Sequence, residues 1–169
     1  MIKNVKWFFV VLVFSSLISL SFSKESVPTE KLTSGDKLPE LRLCEDMQSL
    51  NMHAPSNGFL LLSFWASYDA ASRENNAALS HLAGGDARVK MVSVSFDHYA
   101  SVFESVVKQD GLDADACFLE TRGTDSELFD QFDLKSGFTN FLIDSNGMIV
   151  AKNITPAELV SSNNHSIAI

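Results

Sequence analysis

Two polar residues at the start of a predicted helix are the first candidates for chemistry in this sequence. Asp69 and Ser72 follow an apolar run that ends at Trp65. A serine hydroxyl acts as a nucleophile only beside a general base, and the next histidine, His81, lies nine residues beyond Ser72, more than two helical turns away. We therefore predict that Asp69 caps the helix, which typically contributes about 1 kcal/mol, and that Ser72 makes a hydrogen bond in the first turn.

Cys44 and Cys117 are the only cysteines of the chain. Their separation matches no metal-binding or redox motif. They fit either one structural disulfide or two buried apolar thiols. We favour unpaired structural thiols, because a disulfide requires a narrow Cα–Cα distance.

Composition and charge limit the classes of function. The chain has 169 residues, of which 46% are hydrophobic and 20% are charged, as expected for one globular domain. The formal net charge of −8 argues against a nucleic-acid partner, because an acidic surface repels a polyanion. The four histidines, His53, His81, His98 and His165, are scattered without a paired ligand spacing, so we predict no metal site and no cofactor.

The N-terminus has the pattern of a secretory signal peptide over 1–23. Lys3 and Lys6 precede an apolar run, and small residues stand before the expected cleavage site. The run is shorter than the roughly 20 residues that a membrane-spanning helix needs. No cysteine lies near the cut, so we predict export to the periplasm or the medium without a lipid or a stable membrane anchor. The remaining boundaries are predicted as a linker at 24–37, a folded domain at 38–160 and a C-terminal tail at 161–169.

Strand and helix patterns alternate along the domain. The apolar run Phe59–Trp65 is typical of a strand covered on both faces, and Gly84-Gly85 ends the helix that follows. Asn146-Gly147 is a strong hairpin signal, and Thr155-Pro156-Ala157-Glu158 has the pattern of a capping box. The predicted order begins with a short hairpin around 41–43 and 50–52. A strand at 59–65, a helix at 69–82, a strand at 89–96 and a helix at 99–109 follow. A short strand at 116–120, a short helix at 126–132, strands at 138–143 and 148–153, and a final helix complete the domain. This order predicts parallel strands with right-handed crossovers, followed by an antiparallel pair.

Three segments resemble the landmarks of a known family. Phe64-Trp65-Ala66-Ser67-Tyr68-Asp69-Ala70-Ala71-Ser72-Arg73 resembles the string F-W-A-[ST]-W-C-x-x-C-R of the thioredoxin superfamily, in the exported TlpA/ResA-like branch that overlaps the AhpC/TSA group. Ser95-Phe96-Asp97 resembles the family's S-x-D, and Phe141-Leu142-Ile143-Asp144 with Gly147 resembles its F-L-I-D-x-x-G. The resemblance covers 38–160 and implies a thioredoxin-like α/β fold, with a central mixed β-sheet flanked by helices and the N-terminal hairpin as an extension.

The resemblance breaks at the residues that carry the family's redox chemistry. Asp69 and Ser72 stand at the two cysteine positions, and neither can form the mixed disulfide of thiol–disulfide exchange. Phe138 stands at the position of the family's cis-proline, which holds substrate backbone in an extended form. We expect Gly137–Phe138 to be trans, because a non-proline cis bond costs about 2.5–4 kcal/mol.

These departures predict a redox-inactive thioredoxin-like protein that binds an envelope protein or a peptide. The binding candidates are the residues at the former active-site face: Trp65, Tyr68 and Phe138, which are expected to cluster, with Asp69 and Ser72 beside them.

The competing class is an enzyme. A thiol–disulfide oxidoreductase or a peroxidase would have to work through Cys44 and Cys117, either as a pair or as separate reactive thiols. Non-redox chemistry by Asp69 and Ser72 ranks below both, because no base or metal accompanies them.

Overall fold

The computed structural model describes residues 31–43 and 52–164, and side chains as far as Ser161. Three parts of the prediction lie outside the described residues: the signal peptide, most of the hairpin together with Cys44, and the end of the tail. Within the described ranges, no helix is long and apolar enough to cross a membrane.

Five strands and four helices follow one another along the described chain. Their order is β1 (Phe59–Trp65), α1 (Ala70–Gly84), β2 (Val89–Ser95), α2 (Ala100–Gln109), β3 (Cys117–Leu119), α3 (Glu127–Gln131), β4 (Asn140–Ile143), β5 (Ile149–Lys152) and α4 (Pro156–Asn164). Short 3-10 turns at Ala114–Ala116, Gly123–Asp125 and Leu134–Ser136 join the later elements. The predicted bounds of β1 are confirmed, and the ends of the predicted elements between β1 and the final helix shift by one or two residues. The described residues 41–43 form no strand of the sheet.

The strands form one mixed sheet in the order β3-β2-β1-β4-β5. β1 lies at its centre and pairs in parallel with β2 over its whole length, from Phe59 opposite Val89 to Trp65 opposite Ser95. On its other side β1 pairs antiparallel with β4, and β4 pairs antiparallel with β5. The predicted change from parallel to antiparallel pairing is therefore confirmed.

Helices cover both faces of this sheet. Side chains alternate along β1, so Leu61 and Trp65 point to one face while Leu62 and Phe64 point to the other. α1, α2 and α4 pack on the face of Leu61 and Trp65, and α3 packs on the face of Phe64. The α3 face is rich in phenylalanine: its buried rings belong to Phe64, Phe96, Phe129, Phe132 and Phe141.

The segment before the domain is attached to the outer edge of β5. Gly35 donates its backbone N–H to the Ile149 carbonyl at 2.8 Å, and Ile149 donates to the Asp36 carbonyl at 2.8 Å. The part of the predicted linker from Gly35 onward therefore pairs with the sheet. Leu41 is buried in the phenylalanine-rich core, and the rest of the predicted hairpin lies largely among 44–51, outside the described residues.

The final helix begins at the predicted capping box. The Thr155 N–H donates to a Glu158 carboxylate oxygen at 2.8 Å, and the Glu158 N–H donates to Thr155 Oγ1 at 3.3 Å. α4 continues to Asn164, beyond the predicted start of the tail at 161, because the buried Leu159 holds the helix against the core and Ser161 Oγ bonds to the Glu158 carbonyl.

Candidate functional site

The loop between β1 and α1 places Asp69 at the N-cap of α1. Asp69 has an extended backbone, with φ −101° and ψ 99°, and its Oδ1 accepts the Ser72 N–H at 2.7 Å. Ser72 Oγ in turn donates to the Asp69 carbonyl oxygen at 3.2 Å. Both predictions for these residues are confirmed: Asp69 caps the helix, and Ser72 makes a hydrogen bond in its first turn.

The buried carboxylate of Asp97 holds the loop between β1 and α1 in place through hydrogen bonds. Asp97, which follows β2, is only 3% exposed. Its Oδ1 accepts the Ser67 N–H at 3.0 Å and the Ser67 hydroxyl at 2.6 Å, and its Oδ2 accepts the Ser95 hydroxyl at 2.7 Å. Because Ser67 directly precedes Tyr68, Asp97 sets the position of the loop that carries the exposed tyrosine. The sequence pattern Ser95-Phe96-Asp97 marks this carboxylate but does not by itself indicate its role.

Tyr68 and Phe138 form an aromatic patch beside the helix start, here called the Tyr68–Phe138 patch. Their ring centroids are 6.3 Å apart, and Tyr68 is 62% exposed. Phe138 is half-buried, and its ring packs against Phe96 and Phe129 at 5.8 and 6.2 Å. The patch therefore has a fixed base, Phe138, and an exposed tip, Tyr68.

Charge around the patch is negative. The pKa of the Tyr68 phenol is raised above its ordinary value. The largest cause is partial burial, and the nearby carboxylates of Asp97 and Asp69 contribute less. Tyr68 therefore stays protonated at neutral pH and can donate a hydrogen bond to a bound partner.

Trp65 does not join the patch. Its side chain is fully buried on the opposite face of the sheet, where it packs with Phe103, Val106 and Val107 of α2. The reason is the alternation along β1, which sends Phe64 and Trp65 to opposite faces. The predicted clustering of Trp65 with Tyr68 and Phe138 is therefore wrong, and Trp65 is a core residue.

The segment before β4 leads Phe138 into the patch without a cis peptide bond. The described chain contains no cis bond, so Gly137–Phe138 is trans as expected. Gly137 has a φ of 124°, a conformation that residues with a side chain rarely adopt. The Thr139 carbonyl then accepts the Phe64 N–H at 3.0 Å and so attaches this segment to β1.

Arg73, which matches the family string, makes an ion pair away from the patch. Its Nε and Nη2 donate to the two carboxylate oxygens of Asp110, each at 2.7 Å. These hydrogen bonds hold the pKa of Asp110 below its ordinary value. The pair joins the first turn of α1 to the end of α2, which is a structural role.

Cys117 lies in β3, in an environment that disfavours a thiolate. Partial burial raises the pKa of its thiol to about 11, despite an opposing hydrogen bond with Ser93. A thiol with this pKa is about one part in 10⁴ ionised at pH 7. Cys117 is unbonded within the described ranges, and its relation to Cys44 lies outside them. The described residues also contain no group of three or more side chains suited to hold a metal ion.

Comparison with known proteins places this geometry in a family. The structure is similar to the crystal structure of a thioredoxin-like protein from Parabacteroides distasonis, with 36% sequence identity and a TM-score of 0.71. The match covers 80% of this chain and 97% of that protein. The chain belongs to the thioredoxin-like family. The predicted thioredoxin-like fold is therefore confirmed.

Two further solved structures in the comparison are redox proteins by name. A thiol-disulfide oxidoreductase from Bacteroides fragilis is 25% identical, with a TM-score of 0.59, and the match covers 78% of this chain and 98% of that one. The C-terminal domain of a putative thiol-disulfide oxidoreductase from Bacteroides thetaiotaomicron is 24% identical, with a TM-score of 0.65, over 78% and 94%. No protein-family model and no curated protein sequence matches the chain. The thioredoxin-like chain thus has an oxidoreductase-type fold.

Proposed function

We propose that this thioredoxin-like protein is a non-catalytic binding module of the bacterial envelope, which binds an extended peptide or a protein segment on the Tyr68–Phe138 patch. The observation that carries the proposal is the cap of α1. Asp69 and Ser72, which the family resemblance equates with the two redox cysteines, satisfy each other's hydrogen bonds as an ordinary helix start.

Oxygen at these two positions cannot replace sulfur. Thiol–disulfide exchange requires a thiolate that attacks a disulfide and a second thiol that resolves the mixed disulfide. Neither the Asp69 carboxylate nor the Ser72 hydroxyl forms a bond of that kind. No histidine hydrogen-bonds to Ser72 in the described part of the chain, which also argues against a serine nucleophile.

The shape of the patch supports binding. Exposed aromatic side chains on a fixed base give contact area at a low cost in side-chain entropy, which is why tyrosine is frequent at binding sites. Tyr68 and Phe138 have this arrangement, with Asp97 holding the loop below Tyr68. The N-terminal pattern at 1–23 supports export, so that the partner would be an envelope or extracellular protein.

The alternative is a thiol oxidoreductase or peroxidase that uses Cys44 and Cys117. The oxidoreductases among the similar structures favour it. The raised pKa of Cys117 speaks against it, because catalytic cysteines of this kind have lowered pKa values.

To test the proposal, extended peptides that bind the protein would be selected from a displayed library. The affinity of individual sequences would then be measured by calorimetry. We expect Tyr68→Ala to weaken binding about tenfold or more, as for an aromatic hot-spot residue. Tyr99→Ala is the matched control, because Tyr99 is 72% exposed and belongs to the start of α2. If Tyr68→Ala and Tyr99→Ala bind as the unchanged protein does, the patch is not the binding site.

A further inference from the structure

A small polar pocket lies beside the start of α1, between this helix, β4 and the segment that leads into α4. Its volume is about 150 Å³. This is below the range of roughly 300–1,000 Å³ that holds a drug-sized ligand, so it suits a single side chain. None of its ten lining residues is ionisable; its polar lining comes from Ser63, Ser72, Asn75, Thr139, Asn140, Asn153 and Thr155.

Most polar side chains around the pocket already have partners. Asn140 exchanges two hydrogen bonds with the backbone of Ile154, at 3.0 and 2.7 Å. The other engaged groups are Ser72 Oγ with the Asp69 carbonyl, Thr139 Oγ1 with Asn153 Oδ1, and Thr155 Oγ1 with Glu158.

Two side chains in the wall are different. Ser63 of β1 and Asn75 of α1 make no side-chain hydrogen bond to any other described residue, although Ser63 is only 2% exposed. Ser93, the register partner of Ser63, is equally buried, and its hydroxyl donates to Asn76 Oδ1 at 2.9 Å. Because Ser63 lines the pocket, its hydroxyl is available to a polar group that enters there.

We propose that the pocket binds a carboxamide, the side chain of an asparagine or glutamine in the peptide that the Tyr68–Phe138 patch holds. The proposal rests on the proposed function, and Phe138 connects the two, because it lines the pocket and forms the base of the patch. A carboxamide offers donors and an acceptor to the Ser63 hydroxyl and the Asn75 amide. A charged side chain would enter without a counter-ion, and an apolar one would leave both groups unpaired.

Nuclear magnetic resonance titration of the purified chain with acetamide tests the pocket without a peptide. We expect saturable shifts of the Ser63 and Asn75 amide signals, with a dissociation constant of tens of millimolar, as ordinary for a ligand of about four non-hydrogen atoms. Acetate and methylammonium should bind at least about tenfold more weakly, because each brings an uncompensated charge. The absence of a saturable shift up to about 200 mM acetamide, or equal binding of acetate, would overturn the proposal.

Variants assign the binding to the two unpaired groups. Ser63→Ala and Asn75→Leu should each weaken acetamide binding about fivefold or more, as for the loss of one hydrogen bond in a buried site. Ser93→Ala is the matched control and should bind acetamide unchanged. If Ser63→Ala does not fold, Asn75→Leu on the half-buried helix face decides the question; unchanged acetamide binding in Asn75→Leu would contradict the proposal.

Ligand binding in the pocket can be tested separately from peptide binding on the Tyr68–Phe138 patch. Tyr68→Ala should leave acetamide binding intact while it weakens peptide binding. Acetamide binding together with peptide binding that is indifferent to Tyr68→Ala would refute the patch and retain the pocket. Peptides that depend on Tyr68 but bind equally well after replacement of each asparagine and glutamine by leucine would refute the pocket and retain the patch.

Discussion

The start of α1 and the strand β3 offer opposite environments to a thiol. At the start of α1, free backbone N–H groups and the helix dipole favour a negative charge, yet the residue there is Asp69, whose oxygen accepts the Ser72 N–H. In β3, burial raises the pKa of Cys117 to about 11. The position that would activate a thiol holds Asp69, and the thiol of Cys117 lies where burial disfavours its ionised form. The two environments are therefore opposite in their effect on a thiolate: the start of α1 would stabilise it, and β3 disfavours it.

The largest expected effect concerns the reactivity of Cys117. In a Cys44→Ser background at pH 8, iodoacetamide should modify Cys117 about a hundredfold more slowly than a free cysteine, because its thiolate fraction is lower by that factor. The rate should keep rising with pH up to about 11. A mass-spectrometric time course measures it. A rate equal to that of free cysteine would contradict this prediction, since β3 would then leave the thiol with its ordinary pKa and reactivity.

The raised pKa of Cys117 also predicts that the free energy of unfolding changes with pH in the alkaline range. The folded pKa of Cys117 is raised above the ordinary 9.0, so its contribution to stability is complete below pH 9 and is lost as the pH rises towards 11. Denaturant unfolding of the Cys117→Ser variant should show a smaller loss over this interval than unfolding of the unchanged chain. Equal losses in both proteins would show that Cys117 titrates normally.

Removal of the buried carboxylate should have the next largest effect. Asp97→Ala leaves the Ser67 N–H and the Ser95 hydroxyl without their acceptor, so we expect a loss of about 3 kcal/mol in the free energy of unfolding. Asp130→Ala, which removes an exposed surface ion pair with Lys135, should cost less than about 1 kcal/mol. Urea unfolding compares them. Similar small losses would mean that Asp97 does not hold the loop that carries Tyr68.

The smallest effect is that of the helix cap. Asp69→Ala should cost about 1 kcal/mol, and Asp69→Asn should cost only a few tenths, because asparagine also caps helices well. Reversible thermal unfolding measures the loss of stability in both variants. If Asp69→Ala is neutral or stabilising, the carboxylate has a role other than the cap, and the start of α1 is not an ordinary helix start.

Local patterns predicted the parts of this structure that depend on neighbours in sequence. The apolar run predicted β1 with its correct bounds, and the cap residues predicted the starts of α1 and α4. The predicted position of Trp65 is wrong, because the run Phe59–Trp65 is apolar on both faces and does not reveal which of its residues point to which face of the sheet.

The contacts that build the site are long-range, and sequence alone did not reveal them. Asp97 reaches Ser67 over 30 positions, and the pocket brings Ser63 and Asn75 to the segment around Asn153. Hydrogen bonds of this kind depend on how strands and helices pack, which no local periodicity encodes. The pattern Ser95-Phe96-Asp97 was the one available signal for the buried carboxylate.

Turnover by the purified chain decides whether this protein is a redox enzyme. Disulfide reduction of insulin and consumption of hydrogen peroxide would be measured for the unchanged protein beside the Cys44→Ser, Cys117→Ser variant. We predict no turnover above background in either protein. Turnover that requires Cys44 or Cys117 would contradict this prediction and would make this thioredoxin-like protein a redox enzyme with displaced thiols.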